Sequence, residues 1–329
     1  MRLLSAQPDS DYYIWQLQVQ MHNFRKFGIE DKSIILLGYN PEVGINPKAI
    51  EFKEKTKAVV LFLEDTRNLS ERLYIPSIRP HIIKKLYSDE HIHLVQNKAI
   101  MYHDSDILFV KWPNLKDQID QRKIFLSDTV SYIGANYIKQ KGGNELLEDM
   151  CRVVGINPIV VERNENNSGG AQYLFTSNFN LSTDFWEKVE RDCNSLYTYM
   201  KSTEKKYLKT TTTLKGKEGT DSPIQSWCAD MWAVLWNLWL AGLNTEVIKE
   251  MSFSWATGKI AEWDKHNIFH NAGVLSKDTH LFCKSDYILQ HPFNENFEHL
   301  SKKHCSWEYV KEIQETAKTI DLSIYDKKK

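Results

Sequence analysis

Hydrophobic positions in the first half of the chain alternate between strand-like and helix-like spacing. Over 11–27, apolar residues recur every three or four positions, which predicts a helix with one buried face. Further helices are predicted at 80–87 and 144–154. Short apolar runs predict strands at 2–6, 33–39, 58–63, 93–95, 100–102, 107–110 and 159–162. Strands that alternate with helices favour an α/β fold with a mostly parallel sheet flanked by helices.

The second half is richer in long helical patterns, so helical additions are expected towards the C-terminus. Amphipathic spacing predicts a helix over 184–199, and a second helix over 223–241 starts at Pro223 and stops before Gly242. Its apolar residues lie on all sides, which indicates a buried helix. They include Trp227, Trp232, Trp236 and Trp239. Between these helices, the Lys- and Thr-rich stretch at 209–213 predicts a mobile loop.

Composition and charge exclude several classes of protein. The chain has 329 residues, of which 42% are hydrophobic, and this excludes disorder as the dominant state. Lys and Arg number 42 against 43 Asp and Glu, so there is no general attraction to nucleic acid or anionic membrane. No apolar run approaches the roughly 18 residues of a membrane span, and the five cysteines lack Cys-x-x-Cys spacing. We therefore expect a cytoplasmic protein without a zinc ribbon or a disulfide framework.

Two carboxylates separated by one residue lie where one predicted strand ends and the next begins. Asp104 and Asp106 follow the strand at 100–102 and precede the strand at 107–110. Because ligands of open α/β sheets bind beyond the carboxyl ends of the strands, both carboxylates can face one crevice. Carboxylate oxygens suit hard divalent ions, which often complete their shell with substrate phosphates. The pair indicates an Mg²⁺ or Mn²⁺ site for a nucleoside diphosphate; the alternative interpretation is a solvated turn.

A late histidine could complete this site. His270 follows Ile268-Phe269 and precedes small residues, so its imidazole is a candidate third metal ligand. Gly273 would allow the backbone to approach a ligand closely. The alternative is an ordinary core or surface histidine, one of 11 in the chain.

Two further segments could contact a substrate. Gly169 and Gly170 lead into an apolar segment, which suits a backbone lying against a flat ligand, with Gln172 free to bond sugar hydroxyls. A tight turn entering a strand explains the same pattern. Asp230 lies on the apolar helix, where an unpaired carboxylate is costly, so it has either a structural partner or a place in the active cleft. We favour the cleft.

The order of these segments resembles that of metal-dependent glycosyltransferases of the GT-A fold. In particular, Ser226-Trp227-Cys228-Ala229-Asp230-Met231 is similar to the Gly-Trp-Val-x-Glu-Met segment of the hydroxyproline arabinosyltransferase and peptidyl serine galactosyltransferase group. The early Trp15-Gln16 also fits that group, and the resemblance covers about residues 1–275 in segment order. The chain departs from the group at Asp230, which replaces a glutamate, and at 252–257, which replaces a Tyr-rich segment. The absence of an anchor suggests a soluble bacterial or phage-type member.

The resemblance implies a metal-dependent hexosyl- or pentosyltransferase that uses a nucleotide-diphosphate sugar, with UDP as the expected nucleotide. Asp104, Asp106 and His270 would bind Mn²⁺ or Mg²⁺, and the ion would neutralise the departing diphosphate. The resemblance also implies retention, with Asp230 steadying an oxocarbenium-like centre or positioning the acceptor. In an inverting enzyme, Asp230 would be the general base.

Other site positions follow from the same resemblance. The chain would form a single GT-A-like domain over 1–329, with a nucleotide-sugar half at 1–165, an acceptor and catalytic half at 166–320 and a flexible tail at 321–329. Trp227 and Trp255 would contact the acceptor. Arg79 could instead form a surface salt bridge, and Asp128 could merely cap a helix. The positions expected to contact the nucleotide sugar are Leu4, Ser5, Ala6, Arg79, Ser105, Asp128, Gly169, Gly170, Gln172 and Gly273.

The acceptor stays open among a protein, a glycan and a hydroxymethylated DNA base. A DNA acceptor would need a basic track and aromatic residues that receive a flipped base. Lysines around the Thr-rich stretch could form that track, although a solvated loop is the preferred interpretation. These lysines are Lys201, Lys205, Lys206, Lys209, Lys215 and Lys217.

Two other functions compete with the transferase. A sugar nucleotidyltransferase also needs Asp-bound Mg²⁺, but it would carry a Gly-rich, basic loop after the first strand, where this chain has Ser5-Ala6-Gln7-Pro8-Asp9. A non-catalytic carbohydrate- or partner-binding protein on the same fold would use the aromatic residues of the second half as binding surface. The intact set of metal-ligand candidates argues against the second alternative.

Overall fold

The computed structural model describes residues 1–88, 90–179, 181–215 and 222–326. The strands in these ranges are β1 (Arg2–Pro8), β2 (Ser33–Tyr39), β3 (Val59–Glu64), β4 (Ile100–Tyr102), β5 (Ile107–Phe109), β6 (Ile124–Asp128), β7 (Gly169–Phe175), β8 (Thr245–Val247), β9 (Phe253–Trp255) and β10 (Ile268–His270). The helices are α1 (Asp11–Lys26), α2 (Pro47–Lys55), α3 (Leu69–Arg72), α4 (Ile78–Ser88), α5 (Val130–Ile133), α6 (Ala135–Val154), α7 (Pro158–Arg163), α8 (Thr183–Lys215), α9 (Ala229–Leu240), α10 (Ser306–Ala317) and α11 (Ser323–Asp326).

The chain folds as two compact units whose segments interleave in sequence. The first unit comprises Met1–Thr66, Met101–Asp117 and Lys249–Lys329. The second comprises Arg67–Ile100 and Gln118–Ile248. The single domain with halves meeting at residue 165 stays a prediction, as does the flexible tail, of which residues 327–329 lie outside the described part of the chain.

The first unit contains two groups of strands. In one, β2 lies between β3 and β1, both pairs are parallel, and β4 follows β1 in the strand order. In the other, β10 pairs antiparallel with β5 and parallel with β9. Residues 3–7 of β1 and 33–38 of β2 are buried throughout, because helices cover a sheet of this kind on both faces.

Aromatic residues fill the core next to β5 and β10. One cluster contains four aromatic residues that are each at most 2% exposed: Trp15 of α1, Phe269 of β10, Tyr309 of α10, and Phe282, which lies between β10 and α10. The Trp15 and Phe282 rings meet edge to face at 6.2 Å, and Trp15 Nε1 donates a hydrogen bond to the carbonyl oxygen of Tyr287 at 3.2 Å. This cluster ties α1 to the irregular segment around residues 282–287.

In the second unit, β6 lies between β7, which is antiparallel, and β8, which is parallel. The pairing with β7 shifts register between Leu126 and Ser127. The long helix α8 packs against α4, α6 and α9. Trp232 and Trp236 of α9 are fully buried, as the apolar pattern of that helix predicts.

The α/β class, with mostly parallel strands flanked by helices, is confirmed. Two predicted strands are wrong: 93–95 overlaps a 3-10 helix at Glu90–Leu94, and 159–162 lies inside α7. The side chain of Asn157 accepts a hydrogen bond from the Ile159 amide, and Pro158 occupies the first helical position. Together they start a helix that overrides the β-branched residues behind them.

Two long helices differ from their predicted limits. Helix α9 starts at Ala229, after a 3-10 turn at Ser226–Cys228, rather than at Pro223. Helix α8 continues to Lys215, through the stretch predicted as a loop. Tyr207 explains part of that extension, since its ring is buried and its hydroxyl donates to Asp149 of α6 at 2.7 Å. Among the described helices, none combines the length and the apolar character needed to cross a lipid bilayer.

Candidate metal centre and surrounding residues

The turn between β4 and β5 carries both aspartates, and α1 holds that turn in place. Gln20 Nε2 of α1 donates to the carbonyl oxygen of Asp104 at 2.9 Å and to that of Ile107 at 3.3 Å. Asn23 bonds Phe109 in both directions, with Nδ2 to the carbonyl oxygen at 3.1 Å and the amide to Oδ1 at 2.9 Å. Two buried amide side chains therefore fix the backbone on either side of Asp106.

His270 comes to the same place because β10 pairs with β5. Register places His270 opposite Ile107 of β5 and Trp255 of β9. The amide of Asn271 donates to the carbonyl oxygen of Asp106 at 3.0 Å. The Trp255 ring stacks on the imidazole at a centroid distance of 6.2 Å and an angle of 15°. The orientation of His270 is thus set by the strand and by an aromatic face.

The two carboxylates and the imidazole converge. His270 Nε2 lies 3.3 Å from Asp104 Oδ2 and 3.4 Å from Asp106 Oδ1. One ligand atom of each residue lies within 4.8 Å of the others, so the three could hold a metal ion. Two carboxylate oxygens and one imidazole nitrogen suit Mg²⁺ or Mn²⁺. The donor set therefore fits the divalent ion expected from the sequence.

A lysine also contacts the centre. Lys284 Nζ donates to Asp106 Oδ2, and the lysine side chain is 30% exposed, whereas the Asp106 side chain is 4% exposed. Burial raises the pKa of Asp106, but the charges of Lys284 and His270 outweigh it and hold that pKa well below its ordinary value. Burial lowers the pKa of His270, but Asp106 and Asp104 raise it from 6.5 to about 9. Without a metal, the centre is therefore a network of ion pairs.

The positions predicted to contact the nucleotide sugar in the first unit are buried or lie near the centre. Strand β1 continues to Pro8, so Leu4, Ser5 and Ala6 lie inside it, and each is at most 3% exposed. Ser105 is buried in the turn between the two aspartates. Gly273 has φ +87°, and a Cβ there would lie 3.4 Å from Trp255 Cε3. The donor contacts of these five residues stay predictions.

Asp230 and Arg79, which the sequence suggested separately, form an ion pair in the second unit. Arg79 Nη1 lies 2.8 Å from Asp230 Oδ2, and the Tyr74 hydroxyl donates to Asp230 Oδ1 at 3.1 Å. Tyr74 is buried, and its ring stacks on Tyr197 at 4.3 Å. Asp230 therefore has structural partners on both oxygens, while its catalytic role stays a prediction.

Packing accounts for the glycine pair of β7. A Cβ on Gly169 would lie 2.4 Å from Leu126 Cβ, and one on Gly170 would lie 2.8 Å from Met231 Cε. Gln172 is fully buried and accepts a hydrogen bond from Ser127 Oγ at 2.6 Å. Asp128, one residue before Thr129, the N-cap of α5, is exposed and accepts a bond from the Val130 amide. Contacts of these residues with a sugar stay predictions.

The predicted acceptor residues differ in exposure. Trp227 is 55% exposed in the 3-10 turn before α9, whereas Trp255 is partly covered and stacked on His270. Within the possible basic track, Lys201 pairs with Glu204 and Lys206 with Glu145. Lys217 and the side chains of Lys209 and Lys215 lie outside the described part of the molecule.

Sequence reasoning missed four residues that build these clusters: Lys284, Gln20, Asn23 and Tyr74. A signal existed for two of them, because Gln20 and Asn23 are polar residues next to the predicted apolar stripe of α1. Lys284 begins a 3-10 turn 178 residues from Asp106, and nothing local marks it.

Comparisons with known proteins add a fold likeness. No family model matches the sequence, and a search of curated proteins found no match. The apo structure of the bifunctional glycosyltransferase WbbM is similar at 11% identity with a TM-score of 0.47, over 99% of this chain and 51% of that chain. This chain thus spans about half the length of WbbM.

Two other solved structures are similar over more of their own length. The galactosyltransferase LgtC, in complex with donor and acceptor sugar analogues, matches at 12% identity over 97% of this chain and 96% of LgtC, with a TM-score of 0.45. Mouse xyloside xylosyltransferase 1 matches at 11% identity over 82% of this chain and 97% of the mouse chain, with a TM-score of 0.36. Likenesses of this extent do not establish a shared activity, so the argument for function rests on the residues of the site.

Proposed function

We propose that this chain is a metal-dependent glycosyltransferase that moves a sugar from a nucleotide-diphosphate sugar to a hydroxyl group. The observation that carries the proposal is the convergence of Asp104, Asp106 and His270 on one point. A diphosphate leaving group is stabilised by bound positive charge, which an ion held by these three side chains would supply. Mn²⁺ or Mg²⁺ held there would stabilise the charge that develops on the departing diphosphate.

The residues around the centre support this role. Gln20 and Asn23 preorganise the backbone of the turn that carries the two carboxylates. We propose that β1 at Leu4–Ala6, together with Ser105 and Gly273, lies along the nucleotide and its diphosphate. Arg79, Asp128, Gly169, Gly170 and Gln172 are proposed as further contacts of the nucleotide sugar.

We further propose that the reaction proceeds with retention. Both oxygens of Asp230 accept hydrogen bonds, one from Arg79 and one from Tyr74. A carboxylate held in this way is better suited to electrostatic stabilisation than to proton abstraction. The proposed role of Asp230 is therefore to steady a developing oxocarbenium-like charge or to position the acceptor, with Trp227 and Trp255 as acceptor contacts.

The finer identity of donor and acceptor belongs to the same proposal. We propose a UDP-linked hexose or pentose as the donor and a cytoplasmic site of action. The acceptor hydroxyl would belong to a protein, a glycan or a hydroxymethylated DNA base.

The proposal is tested by screening purified protein against a panel of nucleotide sugars with Mn²⁺, Mg²⁺ or a chelator, following the melting temperature and donor hydrolysis. One donor should stabilise the protein and be hydrolysed only when metal is present. Asp106→Asn should abolish both effects. Asp264→Asn, which changes an exposed carboxylate on the segment before β10, should retain them.

Two outcomes would contradict the proposal. If a donor binds but is never hydrolysed or transferred, the chain is a carbohydrate-binding protein on this fold. If the protein forms nucleotide sugars from a nucleoside triphosphate and a sugar phosphate, it is a nucleotidyltransferase.

A further inference from the structure

Lys284 is placed beside Asp106 by the core of the first unit. The residues on either side of it, Phe282 and Tyr287, both pack against Trp15 of α1, at centroid distances of 6.2 and 6.4 Å. The carbonyl oxygen of Tyr287 also accepts the indole hydrogen bond of Trp15. Aromatic packing thus anchors both flanks of Lys284, so the fold places the backbone of this residue near the carboxylate.

The ammonium group binds one oxygen of a carboxylate that would also hold a divalent ion. Asp106 offers Oδ2 to Lys284, while Oδ1 faces His270 Nε2 at 3.4 Å. A divalent ion among Asp104, Asp106 and His270 would lie close to the ammonium, and the two positive charges would repel each other. Occupation by the metal and the present position of Lys284 therefore oppose each other.

A diphosphate would resolve this conflict. The Lys284 side chain is 30% exposed and its stem is flexible, so we expect rotation of that stem to release the ammonium from Asp106. A metal held by carboxylates usually completes its shell with phosphate oxygens, which would bring negative charge to the same side of Asp106. The ammonium of Lys284, displaced from Asp106, would then pair with the adjacent phosphate oxygens.

We propose that Lys284 is an internal counter-cation that competes with the divalent ion for Asp106 and passes to the diphosphate when metal and donor bind together. This inference rests on the proposed function. Its consequence is a coupling between ligands: the metal binds weakly alone and tightly with a diphosphate. Lys284 thus favours assembly of the charged centre when the substrate is bound.

The test is a titration with MnCl₂ followed by the electron paramagnetic resonance signal of the free ion, with and without inorganic pyrophosphate. Lys284→Met should bind Mn²⁺ about tenfold more tightly than the unmodified protein when pyrophosphate is absent. The enhancement by pyrophosphate should be about tenfold smaller in this variant. Lys277→Met, which removes an exposed charge on the same segment, should match the unmodified protein in both measurements.

The direction in which Mn²⁺ affinity changes in Lys284→Met shows whether Lys284 competes with the ion or only supports the structure of the site. A lysine that only supports the structure predicts weaker Mn²⁺ binding after its removal, so unchanged or weaker binding by Lys284→Met overturns the inference. Lys284→Gln provides a second neutral variant if the Met protein does not fold. If the protein binds Mn²⁺ and Asp106→Asn abolishes that binding, the proposed metal site is supported, whatever the result for the Lys284 variants. No Mn²⁺ binding by any variant, with or without pyrophosphate, would overturn both proposals.

Discussion

Asp106 and Asp230 are both buried carboxylates, and each is held by a different kind of cation. Asp106 pairs with the ammonium of Lys284, which has one point of charge and a flexible stem. Asp230 pairs with the guanidinium of Arg79 and also accepts a bond from Tyr74. An unpaired buried carboxylate would be costly, and each pair offsets that cost without a ligand. The pair of Asp106 with the flexible Lys284 suits a site where the carboxylate exchanges its partner. The pair of Asp230 with the planar guanidinium of Arg79 suits a site where the partner stays the same.

Asp9, directly after β1, is the carboxylate with the clearest expected effect on pH-dependent stability. Burial is the main reason that its pKa rises from 3.8 to about 6, and the nearby charge of Asp11 raises it further. A 2.7 Å hydrogen bond from the backbone amide of Asn46 lowers the pKa and offsets part of this increase. Between pH 4 and 6 the folded state therefore binds more protons at this site than the unfolded state. The contribution of Asp9 to stability is greatest below about pH 4 and falls as pH rises through 6.

Asp9→Asn should remove this dependence. We expect the variant to be more stable at pH 7 by about 1–2 kcal/mol, a value reduced for partial exposure to solvent, with the difference vanishing near pH 4. Urea unfolding of both proteins at pH 4, 5, 6 and 7 measures it, with Asp31→Asn at an exposed position as the control. A difference that stays constant across this range would contradict the assignment.

Helix α1 supports the backbone next to the metal centre, and Asn23 makes two hydrogen bonds from this helix to Phe109 of β5. Asn23→Leu would leave the buried amide and carbonyl groups of Phe109 without their side-chain partner. We expect a loss of about 2–4 kcal/mol in the free energy of unfolding and weaker Mn²⁺ binding, because the turn with Asp104 and Asp106 loses its support. Calorimetric titration with Mn²⁺ and urea unfolding measure the two effects.

Gln16→Leu is the matched control for that experiment. Gln16 is buried on the same helix, and its side chain donates within α1 to the carbonyl oxygen of Tyr12 at 2.7 Å. Its replacement should leave Mn²⁺ affinity unchanged. Equal effects of the two substitutions on Mn²⁺ binding would show that α1 acts through general packing and not through the bonds of Asn23.

In β7, Gly169 allows the strand to lie close to β6. An added Cβ would lie 2.4 Å from Leu126 Cβ and 2.6 Å from the carbonyl oxygen of Ser127, and a backbone oxygen cannot easily move away. Gly169→Ala should therefore destabilise the protein by about 1–3 kcal/mol without any ligand. Thermal unfolding measures this, and a fully stable variant that loses only donor binding would instead favour a direct ligand contact at Gly169.

At the scale of the whole molecule, the candidate metal centre draws on all three segments of the first unit. Met1–Thr66 contributes Gln20 and Asn23, Met101–Asp117 contributes both aspartates, and Lys249–Lys329 contributes His270 and Lys284. A ligand bound there holds together parts of the chain that are far apart in sequence. Metal binding should therefore stabilise this unit as a whole.

Hydrogen exchange can test that expectation. Mn²⁺ at about 100 times its dissociation constant should stabilise the folded state by about 2.7 kcal/mol. The added protection should extend over β1, β5 and β10, beyond the turn that carries the ligands. Asp104→Asn should abolish the protection, and slowing confined to residues 103–107 would contradict a role for the centre in joining the three segments.

Local sequence patterns were sufficient to predict several strands and helices and the candidate metal ligands. Strand β2 and helix α1 match their predictions to within a residue, because a short apolar run and helical spacing are both local patterns of the sequence. Asp104, Asp106 and His270 could be proposed as ligands from residue type and position after strands. The strand predicted at 159–162 was wrong because the capping residue Asn157 and Pro158 outweighed β-branched propensity.

Tertiary structure decided which distant side chains meet. Lys284 pairs with Asp106 across 178 residues, and Asp230 pairs with Arg79 across 151. Such pairs depend on the register of β5 with β10 and on the packing of helices, and neither leaves a local trace in the sequence. Charge and hydrogen-bond potential belong to each residue, but the partner that satisfies a buried charge is selected by the packing of the whole core.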